Sequence, residues 1–250
     1  MFATPRTVSL EECLFYHSMV LPGMGRIPGL CSLEATLPYR VNHLNLTGKR
    51  VLEVGPATGF FTFAMEQAGA DVVACELSSR DKWDSVPGAS DGTFRPKLEQ
   101  VKNSFWFCHA ALESRAKVVE STVYDLPLSL GTFDVVCVHD VLTHLRDPFR
   151  ALTHLANFAT ETLVVSEIEP FGASIRRSPL RWLARRYPLC VFMPRPGDSN
   201  NHTWWQLSSE ACDAMLNRLG FITSCSFYRM PVINHRIPAY TVTGTRSVAR

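Results

Sequence analysis

Val51-Leu52-Glu53-Val54-Gly55-Pro56-Ala57-Thr58-Gly59-Phe60-Phe61-Thr62 decides how this 250-residue chain folds. Val51, Leu52 and Val54 form the short apolar run of a parallel strand covered on both faces. Gly55 breaks the run, and Gly59 opens a helix expected to reach Ala68. The first N–H groups of that helix have no partner within it and face the space above the strand end, where a ligand is expected. Asp71-Val72-Val73-Ala74-Cys75-Glu76 reads as the next strand. Its terminal carboxylate, Glu76, comes about 20 residues after the turn, the spacing at which nucleotide-binding units address ribose hydroxyls. The turn lacks the Gly-x-Gly-x-x-Gly form that admits a pyrophosphate. The Glu53 carboxylate beside it disfavours a diphosphate and suits an ammonium group.

Glu53 to Gly59, extended to Glu76, resembles motif I of the class I S-adenosylmethionine (SAM) methyltransferases. The resemblance implies that Glu53 holds the methionine end of SAM, often through water. It further implies that Gly55, Pro56, Ala57 and Gly59 let the backbone approach the cofactor, and that Glu76, with Leu77 beside it, binds the ribose. Ala57 stands where the family more often has glycine. Ser121 to Pro127 resembles the segment that frames the adenine, through the Thr122 hydroxyl or the Val123 backbone, although Thr122 occupies a position where relatives often carry an acid. The product would be S-adenosylhomocysteine.

Hydrophobic residues make up 46% of the chain, enough for a sizeable core. One domain is expected over 1–250: an N-terminal lid at 1–48, a cofactor-binding core at 49–167, a substrate-side insertion at 168–206, and a final helix and β-hairpin at 207–250. No apolar run of ~18 residues is present and the N-terminus lacks a signal-peptide core, so a cytoplasmic location without membrane attachment is expected. The 8 cysteines include no Cys-x-x-Cys pair, which favours buried thiols over a metal site or disulfides. A net charge of +2 conceals an acidic excess in residues 1–150 and an all-arginine excess after 151. That balance suits an anionic substrate and falls short of a dedicated nucleic-acid binder.

Along the chain, Ser9 to Glu12 forms a capping box. The stretch from Tyr16 to Gly29, rich in glycine and proline, reads as a folded lid or entrance, and Leu33 to Leu46 reads as helical. In related methyltransferases such a segment covers the SAM pocket, which makes Tyr16, His17 and Arg26 candidates, although packing and surface roles account for them equally well. Ser78 to Pro96 is too broken for regular structure. Leu98 to Glu113 then reads as a helix, with Val101, Phe105, Cys108 and Leu112 on one face. Lys117 to Glu120, Phe133 to Val138 and Thr162 to Glu167 read as the third to fifth strands. His139 and Asp140 sit at the carboxyl end of the fourth, where open α/β sheets bind ligands. His144 reads as a group that fixes the turn more than one that performs chemistry.

In the insertion, Ser178-Pro179 begins a short helix flanked by Arg176, Arg177, Arg181, Arg185, Arg186 and Arg195. This basic patch could clamp phosphate or carboxylate, touch RNA or be a solvated face. The polar loop around Asn201, His202 and Trp204 is suited to orienting an acceptor. Ser208 or Ser209 caps a helix through Leu219, and Phe221 to Tyr228 and Ala239 to Thr245 supply the last two strands. This order of five βα-type units and a terminal β-hairpin agrees with the Rossmann-like α/β fold that the resemblance implies: the seven-stranded class I methyltransferase sheet, its last strand antiparallel and helices on both sides.

The combination of Phe15-Tyr16-His17, Thr58 to Phe63, Val141 to His144 and Asn200 to Trp205 resembles a bacterial group related to the tRNA wobble-uridine carboxymethyltransferase. In that enzyme a lysine before motif I and a tyrosine ahead of the histidine after strand four hold the extra carboxylate. Here Leu21 to Gly29 has no lysine and Thr143 replaces the tyrosine, so ordinary SAM is expected. The implied reaction is in-line displacement at the sulfonium methyl, with His139, Asp140 and His202 as candidate bases if the acceptor is protonated. A small-molecule acceptor is expected. A tRNA-modifying enzyme and a SAM-binding partner protein without turnover stay open, and the sequence leaves the oligomeric state undetermined.

Overall fold

The computed structural model describes residues 2–78, 84–87, 94–170, 185–195, 202–232 and 235–247. Seven strands form one sheet: β3 (Arg50–Val54), β4 (Asp71–Glu76), β5 (Lys117–Glu120), β6 (Phe133–His139), β7 (Ala159–Ile168), β10 (Phe221–Val232) and β11 (His235–Arg246). Their order is β10-β11-β7-β6-β3-β4-β5. The β3–β4, β3–β6, β4–β5 and β6–β7 pairs are parallel, whereas β11 runs antiparallel to both neighbours. The chain leaves β3 for β4 on one side and later returns to β6 on the other, which opens a crevice beyond their carboxyl ends.

Alternation along the strands builds two cores. Leu52, Val54, Val136, Val138, Leu163 and Val165 pack on one face with α4 (Pro148–Ala156) and α5 (Ser209–Arg218). Val51, Val72, Val135, Cys137 and Val164 pack on the other with Phe61 and Met65 of α2 (Phe60–Gln67). Val51 and Leu52 are fully buried, each contributing about 2 kcal/mol. On this second face the period of two continues past the apolar residues to Glu53, His139, Ser166 and Thr241, all buried.

Two expectations need correction. Leu33 to Leu46 is not one helix: a 3₁₀ turn at Glu34–Thr36 leads into a single α turn, α1 (Leu37–Arg40). Thr36 Oγ1 donates to the Leu33 carbonyl at 2.6 Å, and Pro38 has no N–H with which to extend a ladder. The helix α3 (Phe94–Ala111) starts earlier than its apolar face suggests, because Pro96 falls in the first turn, where a missing N–H costs nothing. The expected Ser178 helix, and Arg176, Arg177 and Arg181, lie outside the described residues. The described part of the insertion carries a two-stranded ribbon, β8 (Cys190–Phe192) with β9 (Trp205–Leu207).

The N-terminal segment forms a hairpin, β1 (Met19–Leu21) with β2 (Gly25–Ile27). Thr58 Oγ1 accepts the Tyr16 and His17 N–H groups at 2.9 and 3.2 Å, which fastens this segment to the glycine turn. Gly29 passes so close to His17 that an added Cβ would lie 2.4 Å from its carbonyl carbon and 2.6 Å from Ser18 N. Those are backbone atoms, with no rotamer by which to yield. Gly29→Ala is expected to destabilise the protein by about 2 kcal/mol in denaturant unfolding. An unchanged midpoint would show that this segment is not packed as described.

Candidate active site

The glycine turn is shaped by backbone conformation. Gly55 and Gly59 have φ of 71° and 91°, and a Cβ on Gly59 would lie 2.4 Å from Phe63 Cε2, so only glycine fits. Ala57 also has positive φ, at 49°, a strained position for a residue with a Cβ. Glu53 lies under this turn and is 1% exposed. Thr62 Oγ1 donates to its carboxyl, and among the described residues no cation pairs with it. Burial pushes its pKa up to about 8; the Thr62 bond lowers it and the nearby Glu76 raises it further. An acid so held under a glycine turn would be ionised by the arrival of a cation.

Glu76 ends β4 facing the same crevice. Its Oε1 accepts the Leu77 N–H at 2.8 Å, and its pKa is raised by burial against the lowering effect of bonds from Leu77 and Ala57. Lys102 of α3 is 5% exposed and holds the backbone just beyond, donating to the Leu77 carbonyl at 2.9 Å and pairing with Glu99 and Glu120 at 3.3 and 3.4 Å. Pro56, Ala57, Glu76, Lys102, Phe105 and Trp106 border a cleft at this point. Thr122 and Val123 lie past β5, where the Thr122 hydroxyl donates to Asp125 at 2.7 Å and Val123 is buried in the core.

Across the crevice, His139 and Asp140 follow β6. His139 is 6% exposed, lies 4.5 Å from the Phe61 ring, and bonds through Nδ1 to Ser166 Oγ at 3.0 Å. Its Nε2 and the Nδ1 of His17 are buried without a hydrogen-bond partner among the described residues. Burial lowers both imidazoles, with Arg40 adding to the effect: His17 to about 3 and His139 well below its usual value. Both stay neutral at ordinary pH. Asp140, at φ 57°, gives both oxygens to Arg40 at 2.5 and 3.2 Å. Tyr16 keeps 41% of its surface open and packs 5.1 Å from His17.

A second group gathers around the turn Leu142–His144 and the insertion. His144 Nδ1–H donates to the His202 carbonyl at 2.6 Å, and Thr143 Oγ1 donates to the Trp205 carbonyl at 2.6 Å. Trp204 is buried, donates its indole N–H to the Asp84 carbonyl, and has Arg146 stacked over it at 5.1 Å. Arg26 is held by Glu34 and, at 2.9 Å, by Ser32 on the exposed hairpin. Asn201 lies outside the described residues.

Three residues central to this geometry were not singled out as candidates in the sequence. Arg40, wholly buried, donates from Nε to Tyr228 OH at 2.6 Å besides gripping Asp140. Nothing marks it except being the one charge in Leu37-Pro38-Tyr39-Arg40-Val41. Lys102 hides on the buried side of a polar helix. Glu167, 3% exposed, accepts the Leu142 N–H at 2.7 Å and so sets the turn that carries His144; its pKa is raised by burial and then by Asp140. Its position at the end of an apolar strand, like that of Glu76, was the available clue. Among the described residues no cluster could hold a metal ion, and no helix is long and apolar enough to cross a membrane.

A parallel sheet with one antiparallel final strand, and an acid under a glycine turn at its switch point, define a Rossmann-like methyltransferase fold. The chain belongs to the methyltransferase-domain family, whose model matches residues 32–221. It is 30% identical over 150 residues to the ubiquinone biosynthesis O-methyltransferase of Azotobacter vinelandii, a match covering 58% of this chain and 54% of that enzyme. The chain thus spans about half the length of that relative. The Acinetobacter baumannii enzyme of the same name is 25% identical over 181 residues, covering 70% of this chain and 67% of its own length. In fold, the chain resembles the Synechocystis magnesium protoporphyrin IX methyltransferase crystallised with bound SAH, with a TM-score of 0.54 and 19% identity over 81% of this chain and 76% of that one.

Two outcomes follow from these charges. Arg40→Leu leaves Asp140 and Tyr228 facing apolar surroundings and is expected to cost about 3 kcal/mol in denaturant unfolding; a loss below about 1 kcal/mol would contradict the buried pairing. The raised carboxyls bind protons in the folded state that the unfolded chain has released, so their stability contribution is lost as pH rises. The buried histidines act oppositely, but only below about pH 6.5. From pH 6.5 to 8 the ligand-free protein should therefore lose stability, and Glu53→Gln should remove about 1.5 kcal/mol of that loss. A slope unchanged in the variant would assign it to other groups.

Proposed function

We propose that this protein is a SAM-dependent methyltransferase acting on a small-molecule acceptor, with a hydroxyl as the first acceptor class to test. The single observation that carries the reading is the pairing, across one crevice, of a buried Glu53 that no cation of the described residues meets with two buried neutral imidazoles, each with one ring nitrogen that has no partner among those residues. Bound SAM would supply a methyl group on a positively charged sulfur. Glu53 would receive the ammonium end and give up its proton, and Glu76 would accept from the ribose hydroxyls while Lys102 holds the backbone behind it. The names of the O-methyltransferase relatives support the hydroxyl choice.

His139 would accept the acceptor's proton at Nε2 as the new bond to carbon forms, with His17 orienting the acceptor beside it. Asp140, committed to Arg40, holds the turn in place of acting as a base. The Asn201–Trp204 loop and the residues Tyr16, His144 and His202 would border the acceptor, and Arg26 would secure the lid hairpin. Ordinary SAM suits the site better than a carboxylated form, because the Thr143 hydroxyl is already spent on the Trp205 carbonyl. Kinship with the wobble-uridine carboxymethyltransferase group is part of the proposal and rests on the motifs quoted above. The modest net charge of +2 favours a small molecule over RNA.

The test is transfer of label from methyl-labelled SAM into a cell extract, with and without RNase treatment. Label should enter small molecules, survive RNase and vanish with Glu76→Ala. His139→Ala should bind SAM normally and lose roughly 10²-fold or more in kcat. Label that disappears with RNase would overturn the small-molecule assignment in favour of an RNA acceptor.

A further inference from the structure

We propose that Tyr228, its one proton given to the Tyr240 carbonyl, acts through Thr241 and Ser166 to hold His139 in the tautomer that carries its proton on Nδ1 and leaves Nε2 as a bare lone pair. The catalytic use of that lone pair rests on the function proposed above; the tautomer itself does not.

The inference comes from following single protons along a buried row. A guanidinium can only donate. Arg40 Nε donates to Tyr228 OH at 2.6 Å, so the phenol oxygen accepts there. The one proton of Tyr228 goes to the Tyr240 carbonyl at 3.5 Å, and Thr241 Oγ1 donates to the phenol oxygen at 3.3 Å. Thr241 has then used its proton and must accept in its 2.8 Å bond with Ser166 Oγ. Ser166 has in turn used its own, so in its 3.0 Å bond with His139 the serine oxygen accepts and Nδ1 donates. A neutral imidazole carries one N–H, which leaves Nε2 unprotonated. That ring atom is buried without a partner among the described residues.

Strand register makes the row possible. His139 of β6 lies opposite Ser166 of β7, and Ser166 opposite Thr241 of β11, on one face of the sheet. Each hydroxyl has one proton to place, so the direction set where Tyr228 gives its proton to the Tyr240 carbonyl is passed to the imidazole without loss. Asp140 balances the guanidinium charge, which leaves the row to transmit polarity alone. Reversing it would require Tyr228 to leave the Tyr240 carbonyl and donate to Thr241. Tyr228, Thr241 and Ser166 are therefore positioning residues for His139.

The tautomer is read directly by nitrogen NMR of the full chain labelled with ¹⁵N-histidine, without cofactor or acceptor, the His139 signals being assigned from their absence in His139→Gln. The expected spectrum shows Nδ1 protonated and Nε2 unprotonated. Thr241→Val takes away the acceptor of the Ser166 proton. That proton should turn to Nδ1, move His139 to the Nε2–H form and lower kcat for methyl transfer roughly tenfold or more, with SAM affinity unchanged. Thr241→Ser should restore both. If Thr241→Val fails to fold, Tyr228→Phe makes the same test, since Thr241 then has only Ser166 to donate to. An Nε2–H signal in the unsubstituted protein, or an unchanged tautomer in the folded variants, would overturn the proposal. Absence of methyl transfer with the expected spectrum would count against the functional reading and leave the tautomer assignment standing.

Discussion

The Arg40 guanidinium, removed from water at the carboxyl edge of the sheet, is the constraint around which the acceptor side of this protein is arranged. A buried cation without compensation costs several kcal/mol, and every donor it carries needs an acceptor. Asp140 supplies the opposite charge and Tyr228 an oxygen, with the Phe61 ring 5.3 Å from the guanidinium carbon. These partners come from the turn after β6, from the hairpin strand β10 and from α2. One side chain thus ties the segment before the first core strand to the last strands of the chain. Such a pair adds little net stability over an apolar substitute. What it imposes is geometry: Asp140 is held at positive φ, and His139, one residue earlier, is delivered to the end of the strand.

The crevice is divided electrostatically. On the β3–β4 side, burial makes Glu53 and Glu76 reluctant to ionise, and Glu76 adds to the effect on Glu53. A cation entering there would relieve that strain, so ligand charge and site charge would be complementary without an ion pair standing ready. On the β6–β7 side the positive charge of Arg40 is already neutralised, and His17 and His139 are held neutral by burial. Neutral imidazoles can take part in hydrogen bonds without repelling a sulfonium. The Thr58 hydroxyl joins the two sides by fastening Tyr16 and His17 onto the glycine turn.

Much of this was legible in the chain because the signals were local. Val51 to Thr62 contains a buried strand, a turn only glycine can make and the start of a helix within twelve consecutive residues, so backbone sterics and hydrophobic period suffice to read it. Glu76 was legible for the same reason, as the polar end of an apolar strand. The capping box at Ser9 and the cap at Ser208 also formed as read, both Ser9–Glu12 bonds and the Ser208–Ala211 bond being present. Leu33 to Leu46 misled because its apolar spacing suits a helix while Pro38 and the Thr36 side chain oppose one. There the local backbone chemistry outweighed the pattern.

The sequence by itself determined the order of the seven central strands and the helices packed on them, the glycine turn and the carboxylates beside it, because each depends on residues only a few positions apart. The tertiary structure alone decided which distant polar residues meet. Arg40 and Asp140 are 100 positions apart, and Ser166 and Thr241 are 75 apart. Their contact follows from parallel and antiparallel register summed across β6, β7, β11 and β10. A one-residue slip in any of those pairings would turn the row to the opposite face. Period-two patterning can show that a serine or a histidine falls on the buried face of its strand. Only the assembled sheet determines which neighbour lies opposite it, and hence where its proton goes.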